Sequence, residues 1–407
     1  MPTVVYTPAD IPERTIILPP RGGSDGAHAR ALLARVRPDI VFTTANRTAA
    51  PPEACMLLTA PDWSADVARC RAAGIAEERI LVMPQLELGW PLAEWSYSYW
   101  AVPLDYVSRG PDGAVRLSFA KFHRMLIDTK ALHGEFHGQH FCDGYKAGAP
   151  ADAAAFTKVL NLLGDDASRV DYLTILFGEP SQVWQNWCRN LYNHLEYMDY
   201  ATIAPGDVIL NCGVLGGSEI PLFLAALDGR GKLVNVDPFG YDHALDFTRK
   251  ALASNPGLDV EVRVAAFNKE GTVRLPVWHG MAMGGMAGRS LAGFPEQDFP
   301  CRTIDAIVRD LALERLDYVK MDIEGGEIAA LEGATETIER FRPQLAISIY
   351  HERHHYWQIP LMLAATCPDY RFYVKHYHYN CAETLLYAIP NERPVRPRRT
   401  TIPASLE

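Results

Sequence analysis

Several features are missing from this 407-residue sequence, and each absence closes off a class of protein. Its eight cysteines, Cys55, Cys70, Cys142, Cys188, Cys212, Cys301, Cys367 and Cys381, are scattered and form no CxxC pair. They spell no disulfide framework and suit a reducing cytoplasm. No stretch reaches the roughly eighteen apolar residues that a membrane-spanning helix needs, so no integral membrane segment is expected. The opening MPTVVYTPADIPERTIILPP places acids and prolines where a secretion signal needs a basic start and an unbroken apolar core. A basic stripe is missing too. With a formal net charge of −10, the chain lacks the electrostatic footprint of a nucleic-acid binder, and a small or neutral substrate is favoured.

What remains is the composition of a globular chain, long enough for two domains at roughly 150 residues each, with a possible homodimer left open. Residues 15–95 alternate short apolar runs (TIILPP, DIVFTTA, MLLTA, RILVMPQ) with helical stretches (GAHARALLARV, SADVARCRAAGI). This predicts a small parallel α/β domain over 1–100. Gly22 and Gly23 in PRGGSDGAH read as a phosphate-facing loop or a strand-to-helix turn. Residues 101–190 read as an aromatic, histidine- and glycine-rich connector with a helical segment. There His133, His137 and His140 have a spacing that could gather a metal, though Gly134 and Gly138 weaken the helix it needs. The tail 393–407 is basic and proline-rich and reads as a surface extension.

The chemistry concentrates in 191–392. Here DVILNCG, PLFLAALDG, KLVNVDP, YDHALDFTRKALASN, VEVRVAAF, TIDAIVRDLAL, YVKMDI, EIAALEGATETIERF and LAISIYH alternate strand and helix, and RFYVKHY and TLLYAIP close the segment as a hairpin-like pair. The order predicts a Rossmann-like, mostly parallel sheet covered on both faces, with an antiparallel edge strand. In such sheets ligands sit beyond the carboxyl ends of the strands. The residues there form a coherent set: Asn211, Cys212, Gly213, Gly216 and Gly217 in a glycine turn, then Asp237 closing the second strand, where a carboxylate can accept ribose hydroxyls. NCGVLGG is not the dehydrogenase fingerprint GxGxxG, which counts against a nucleotide-dependent oxidoreductase. A non-catalytic module that binds a nucleotide-type ligand is the other alternative.

With these residues the chain resembles the FkbM family of S-adenosylmethionine-dependent methyltransferases. The family's acidic-x-Gly-x-x-x-Gly turn, acidic-Pro pair, Thr-x-Asp segment and Lys-x-Asp-x-Glu-Gly-x-Glu block read here as NCGVLGG, Asp237-Pro238, Thr303-Ile304-Asp305 and Lys320 to Glu327, and the resemblance runs over roughly residues 190–390. It implies S-adenosylmethionine as donor and methylation at oxygen on a sugar or secondary metabolite. It also implies a donor site drawn from Asn211, Gly213, Gly217, Ser218, Asp237, Pro238 and Ala266. Asn211 departs from the family's carboxylate, so a contact with the donor's amino group would come from its amide oxygen or from a neighbour.

Methyl transfer to a hydroxyl needs an aligned, dry site and a group that takes the proton, because a free alcohol is too weak an acid. The groups placed for it are Asp322 and Glu324 after YVKM, and His351 with Glu352, His354 and His355 after LAISIY. His351 is expected as the base, alone or paired with Asp322, since imidazole titrates near neutrality. Two other readings stand beside it: Asp322 and Glu324 as caps of the following helix, or Asp322 and His351 as ligands of a divalent metal. His376 and His378 share one side of a strand, and the Gly280 to Gly288 loop has the flexible, apolar text of a lid.

Overall fold

The structure, a computed structural model, describes residues 2–5, 11–18, 33, 37, 40–42, 53–59, 63–83, 107–109, 115–117, 153–177, 195–278, 280–287, 294–377, 383–396 and 405–406. His133, His137, His140, His378, Gly22, Gly23 and Gly288 lie outside the described residues.

The main body is a seven-stranded sheet: β1 (Val208–Cys212), β2 (Lys232–Val236), β3 (Asp259–Val262), β4 (Tyr318–Met321), β5 (Gln344–Ser348), β6 (Tyr370–His376) and β7 (Thr384–Pro390). Across the sheet the order is β3-β2-β1-β4-β5-β7-β6. The order reverses at β1 and β4, which creates the crevice where ligands bind in open α/β sheets. The antiparallel strand is not at the edge. β7 inserts between β5 and β6 and runs antiparallel to both, so the edge strand β6 is parallel to β5. The text of a closing pair cannot say which member reaches the interior, because that depends on the connection carrying β6 past β7's position.

Alternate residues of each strand feed opposite cores, as the two-residue pleat requires. Leu210, Cys212, Val234, Val236, Val319 and Met321 face one core, and Ile209, Leu233 and Tyr318 the other. Helix α1 (Ile220–Leu227, IPLFLAAL) has no polar face, and all eight of its residues are buried. A helix apolar all round must be covered all round. The sheet covers one side, and the second core continues into Leu18, Met56, Leu58, Trp63 and Val67 of the N-terminal region.

That region is the expected small α/β layer: five parallel strands in the spatial order Thr3–Val4, Ile80–Val82, Cys55–Leu58, Thr15–Leu18, Val41–Phe42. The helices Ala153–Leu162 and Asp166–Phe177 lie in the other core, where Phe156 packs edge-on to Trp357 and the Tyr172 hydroxyl donates to the Tyr356 carbonyl at 2.9 Å. In the basic tail, Arg393 donates to Asp317 at 2.7 Å, and Ser405–Leu406 pairs with residues 116–117.

The sequence reading passed over one element. Gly271–Trp278 and Glu296–Arg302 form an antiparallel ladder beside the main sheet, extended by Ala265–Ala266 and Met281–Ala282. Val273, Leu275, Phe299 and Cys301 point inward from it. Among the described residues no helix is long and apolar enough to cross a membrane.

Candidate active site

β1 ends in a turn that only glycine can make. Gly213 has φ +84°, and a Cβ there would sit 1.7 Å from the carbonyl oxygen of Asp322. The donor turn after β1 therefore presses directly on the turn after β4, and any side chain would force them apart. Gly217, at φ +66°, is similarly tight against Thr248. Asp237, at the end of β2, braces this turn: Oδ2 accepts from the Val214 N–H at 2.8 Å and the Leu215 N–H at 3.4 Å, and Oδ1 from the Phe239 N–H at 2.8 Å. Each carboxylate oxygen keeps lone pairs that ribose hydroxyls can use. Ser218 and Pro238 are half-buried beside this turn. Ala266 is buried in the main core and brings no polar side chain.

Asn211 does not stand open to a ligand. It is fully buried, and its Nδ2 donates to Glu219 Oε1 and to Asn235 Oδ1, both at 2.8 Å. Its amide nitrogen is thus taken up inside the fold, whereas Oδ1, the atom expected at the donor's amino group, is buried with no hydrogen-bond partner among the described residues. Burial in the row of strand positions next to Lys320 and Asn235 draws it under the turn.

The second half of the site is made of charge. His351, 5% exposed at its side chain, lies among three carboxylates: Nδ1 is 2.9 Å from Glu327 Oε1, and Nε2 is 3.4 Å from both Asp322 Oδ1 and Glu324 Oε2. The Tyr197 hydroxyl donates to Asp322 Oδ2 at 2.7 Å, and burial with that negative charge keeps the phenol protonated. Glu324 sits in the left-handed region at φ +53°, a backbone conformation stored mainly where function demands it.

Glu327 was the group missed by its position in the chain. It is fully buried, Oε1 accepts from the Ile323 N–H at 3.0 Å, and Oε2 lies 3.3 Å from His355 Nδ1. Its place at the start of helix Glu327–Glu332, behind the Gly-Gly turn, was the available signal. It reaches back to the turn and does the work assigned to Asp322 and Glu324 in the capping alternative. The cap of that helix is Gly326, and neither Asp322 nor Glu324 bonds to it. Thr303 and Asp305 are structural: Thr303 caps its own helix at Ala306, and Asp305 accepts from Glu336 and Thr337 in the helix Thr335–Phe341.

These surroundings change the expected protonation. Burial opposes charge on His351, but Glu327, Glu324 and Asp322 outweigh it and push the imidazolium up to about 10. That direction favours the imidazolium at neutral pH and weighs against His351 as a free base. Burial pushes Glu324 up to about 7, with His351 partly offsetting it. Burial of Glu327 is outweighed by His351 and His355, which hold its carboxyl far below the ordinary range.

Asp322, Glu327 and His351 also lie close enough to surround a cation. They do not fit one well. Glu327 faces Nδ1 and already accepts a backbone N–H, whereas Asp322 faces Nε2, so the ring turns opposite nitrogens to the two carboxylates.

The loop read as a lid packs against the turn after β4. The Gly285 N–H donates to the Glu324 carbonyl at 2.8 Å, and a Cβ on Gly284 would come 2.5 Å from the Ile323 carbonyl. Glycine against glycine lets two backbones meet where side chains would hold them apart. His376 is buried away from this cluster, its Nδ1 2.9 Å from the Thr384 hydroxyl.

Residues 214–381 match the family model described as "Methyltransferase FkbM domain". No curated protein matches the chain. Among solved structures it is similar to the methyltransferase FkbM from Methylobacillus flagellatus KT, at 16% identity over 93% of this chain and 90% of that one, with a TM-score of 0.44. It is similar also to Aeropyrum pernix fibrillarin with natively bound S-adenosyl-L-methionine, at 13% identity over 46% of this chain and 67% of that one, TM-score 0.27. A third is a SAM-dependent methyltransferase from Aquifex aeolicus, at 14% identity over 57% and 97%, TM-score 0.26. The match to the methyltransferase FkbM domain model over residues 214–381 bears out the resemblance read from the sequence.

Proposed function

We propose that this protein is an S-adenosylmethionine-dependent O-methyltransferase acting on a small hydroxylated molecule, a sugar or a secondary metabolite. The observation that carries the reading is the contact between the two turns. Gly213 lies against the Asp322 carbonyl, and this closeness supports a donor site beside the cluster of Asp322, Glu324 and His351.

The donor-side residues fit such a ligand. The turn approaches without side chains at Gly213 and Gly217, and Asp237 keeps lone pairs for ribose hydroxyls. The bound cofactor supplies an electrophilic methyl group. The chain's own residues do the rest. Glu324, with its affinity for a proton near neutrality, takes the proton of the acceptor hydroxyl, which is where a general base works best. The His351 imidazolium stabilises the carboxylates on either side and keeps Asp322 and Glu324 aimed at one point. Asp322, oriented by Tyr197, accepts a hydrogen bond from the acceptor. The loop around Gly284 and Gly285 excludes water from above.

Calorimetric titration with S-adenosylmethionine, S-adenosylhomocysteine and NAD, on wild type and Asp237→Ala, tests the donor half. Sulfur-ligand binding that weakens in the variant is expected, and binding of NAD alone overturns the reading. Methyl transfer to a panel of sugars and hydroxylated metabolites then tests the acceptor. A protein that binds S-adenosylmethionine but transfers to no nucleophile is a binding module instead.

A further inference from the structure

Beneath the donor turn lies a buried charge pair that the proposed chemistry does not use. Lys320, on β4, is 3% exposed, and its register partner on β1 is Asn211. An ammonium buried so deeply needs a carboxylate close by. The neighbour in the sheet cannot provide one, because position 211 is an amide.

The carboxylate comes from Glu219, the residue before α1, which is 6% exposed. It makes no cap bond to its helix. Its Oε1 instead lies 3.6 Å from Lys320 Nζ and accepts from Asn211 Nδ2 at 2.8 Å. Both neighbours of the Asn211 amide nitrogen are acceptors, Glu219 and Asn235, so the amide acts as a strap that holds Glu219 over the sheet. Lys320 Nζ, held in this way, donates to the Gly213 carbonyl and lies 4.9 Å over the Tyr197 ring. Tyr197 in turn donates to Asp322. One ammonium thus touches the donor turn on one side and, through one ring, the acceptor carboxylate on the other.

We propose that Glu219 is a positioning residue for the donor: its charge holds Lys320 under Gly213, and it supplies from position 219 the negative charge that an acid at 211 would supply directly. Lys320 stays charged despite its burial, because Glu219 and then Asp322 favour the cation. The inference rests on the donor-site reading above and assigns that site a further residue. It also makes Asn211 and Glu219 a matched pair. An amide at 211 without the carboxylate at 219 takes away the nearest negative charge from Lys320, and acids at both positions place two negative charges within hydrogen-bond distance.

Three variants test this by titration with S-adenosylhomocysteine and by thermal melting: Glu219→Gln, Asn211→Asp, and the two combined. Glu219→Gln is expected to weaken binding roughly tenfold or more and to lower the melting temperature, as breaking a buried pair does. The combined variant returns the charge to Lys320's neighbour and is expected to recover most of both. Recovery is the decisive reading, because loss of packing at Glu219 would not be repaired by an acid at 211. Affinity unchanged in Glu219→Gln overturns the proposal. So does a folded double variant no better than the single one, and if Glu219→Gln fails to fold, the double variant alone decides. Wild type that binds no S-adenosylhomocysteine sinks the methyltransferase reading itself, whereas wild type that binds while all variants match it sinks only the role of Glu219.

Discussion

The turns after β1 and β4 lie side by side and touch, yet they are held by different forces. The donor turn is held by backbone: positive-φ glycines, amides donating to Asp237, and one carbonyl accepting from Lys320. The catalytic turn is held by charge, with His351 and His355 on one side of Glu327 and further carboxylates at Asp322 and Glu324. A turn shaped by glycine backbone fails first by steric overlap. One built from charges fails when a proton is gained or lost. The contrast suits the two ligands. The same donor must fit every time, and glycine backbone offers it one shape. In the proposed reaction the acceptor loses a proton, and coupled titratable groups suit that step.

The largest effect that would sharpen this contrast is expected at Gly213→Ala. The added methyl overlaps the Asp322 carbonyl in a left-handed conformation, and destabilisation above roughly 4 kcal/mol with loss of S-adenosylhomocysteine binding is expected. Near-wild-type melting and binding would mean that the turns can separate freely.

Glu327→Gln comes next. It leaves two buried histidines without their shared anion and is expected to cost about 3 kcal/mol in chemical denaturation. Donor affinity should change far less than stability. Equal losses of both would break the distinction between the halves.

The pH dependence follows from the same groups. His351 titrates at about 10 in the folded protein against an ordinary 6.5, so its contribution to stability is complete below about 6.5 and is lost as pH rises through 10. Glu327 has the opposite sign: its contribution is present above its ordinary 4.5 and is lost only as strong acid is approached. Melting temperatures from pH about 7 to about 11 should fall more steeply for wild type than for His351→Gln. Parallel curves would remove His351 from the charge cluster.

For turnover, Glu324→Gln is expected to lower kcat by roughly 10² to 10⁴ and to abolish a rising limb near pH 7, with donor affinity kept. An unchanged profile would return the base to His351, alone or paired with Asp322. The smallest effect is expected from Arg71→Ala, which breaks a 3.1 Å surface pair with Asp228, where the N-terminal region meets α1. Pairs so exposed are worth at most about 0.5 to 1 kcal/mol, and a larger loss would mean that charge also binds the two regions together.

Much of the fold was legible because its signals are local. DVILNCG and KLVNVDP are apolar runs ending in a turn or an acid, and each became a strand with those residues at its carboxyl end. EIAALEGATETIERF was read as one helix but is two, Glu327–Glu332 and Thr335–Phe341, with Gly333 pressed against the Phe267 carbonyl between them. GTVRLPVW carried the alternation of a strand in Val273 and Leu275, yet glycine-rich text beside it drew the eye to a loop.

The site was legible in its membership and not in its roles. Asp322, Glu324 and His351 could be gathered from the rule that ligands sit beyond strand ends. How protons are shared among them depends on distances of 2.9 to 3.4 Å between residues up to 29 positions apart (351 minus 322), which only packing sets.

The sequence by itself determined the alternation of strands and helices, the glycine turn and the carboxylates at strand ends, because each follows from neighbours along the chain. Tertiary structure alone decided that β7 lies inside the sheet, that Asn211 is buried under the turn with Glu219 beside Lys320, and that His351 lies among three carboxylates. Those outcomes depend on which distant groups share a dry space, and in a dry space the nearest charge governs the next.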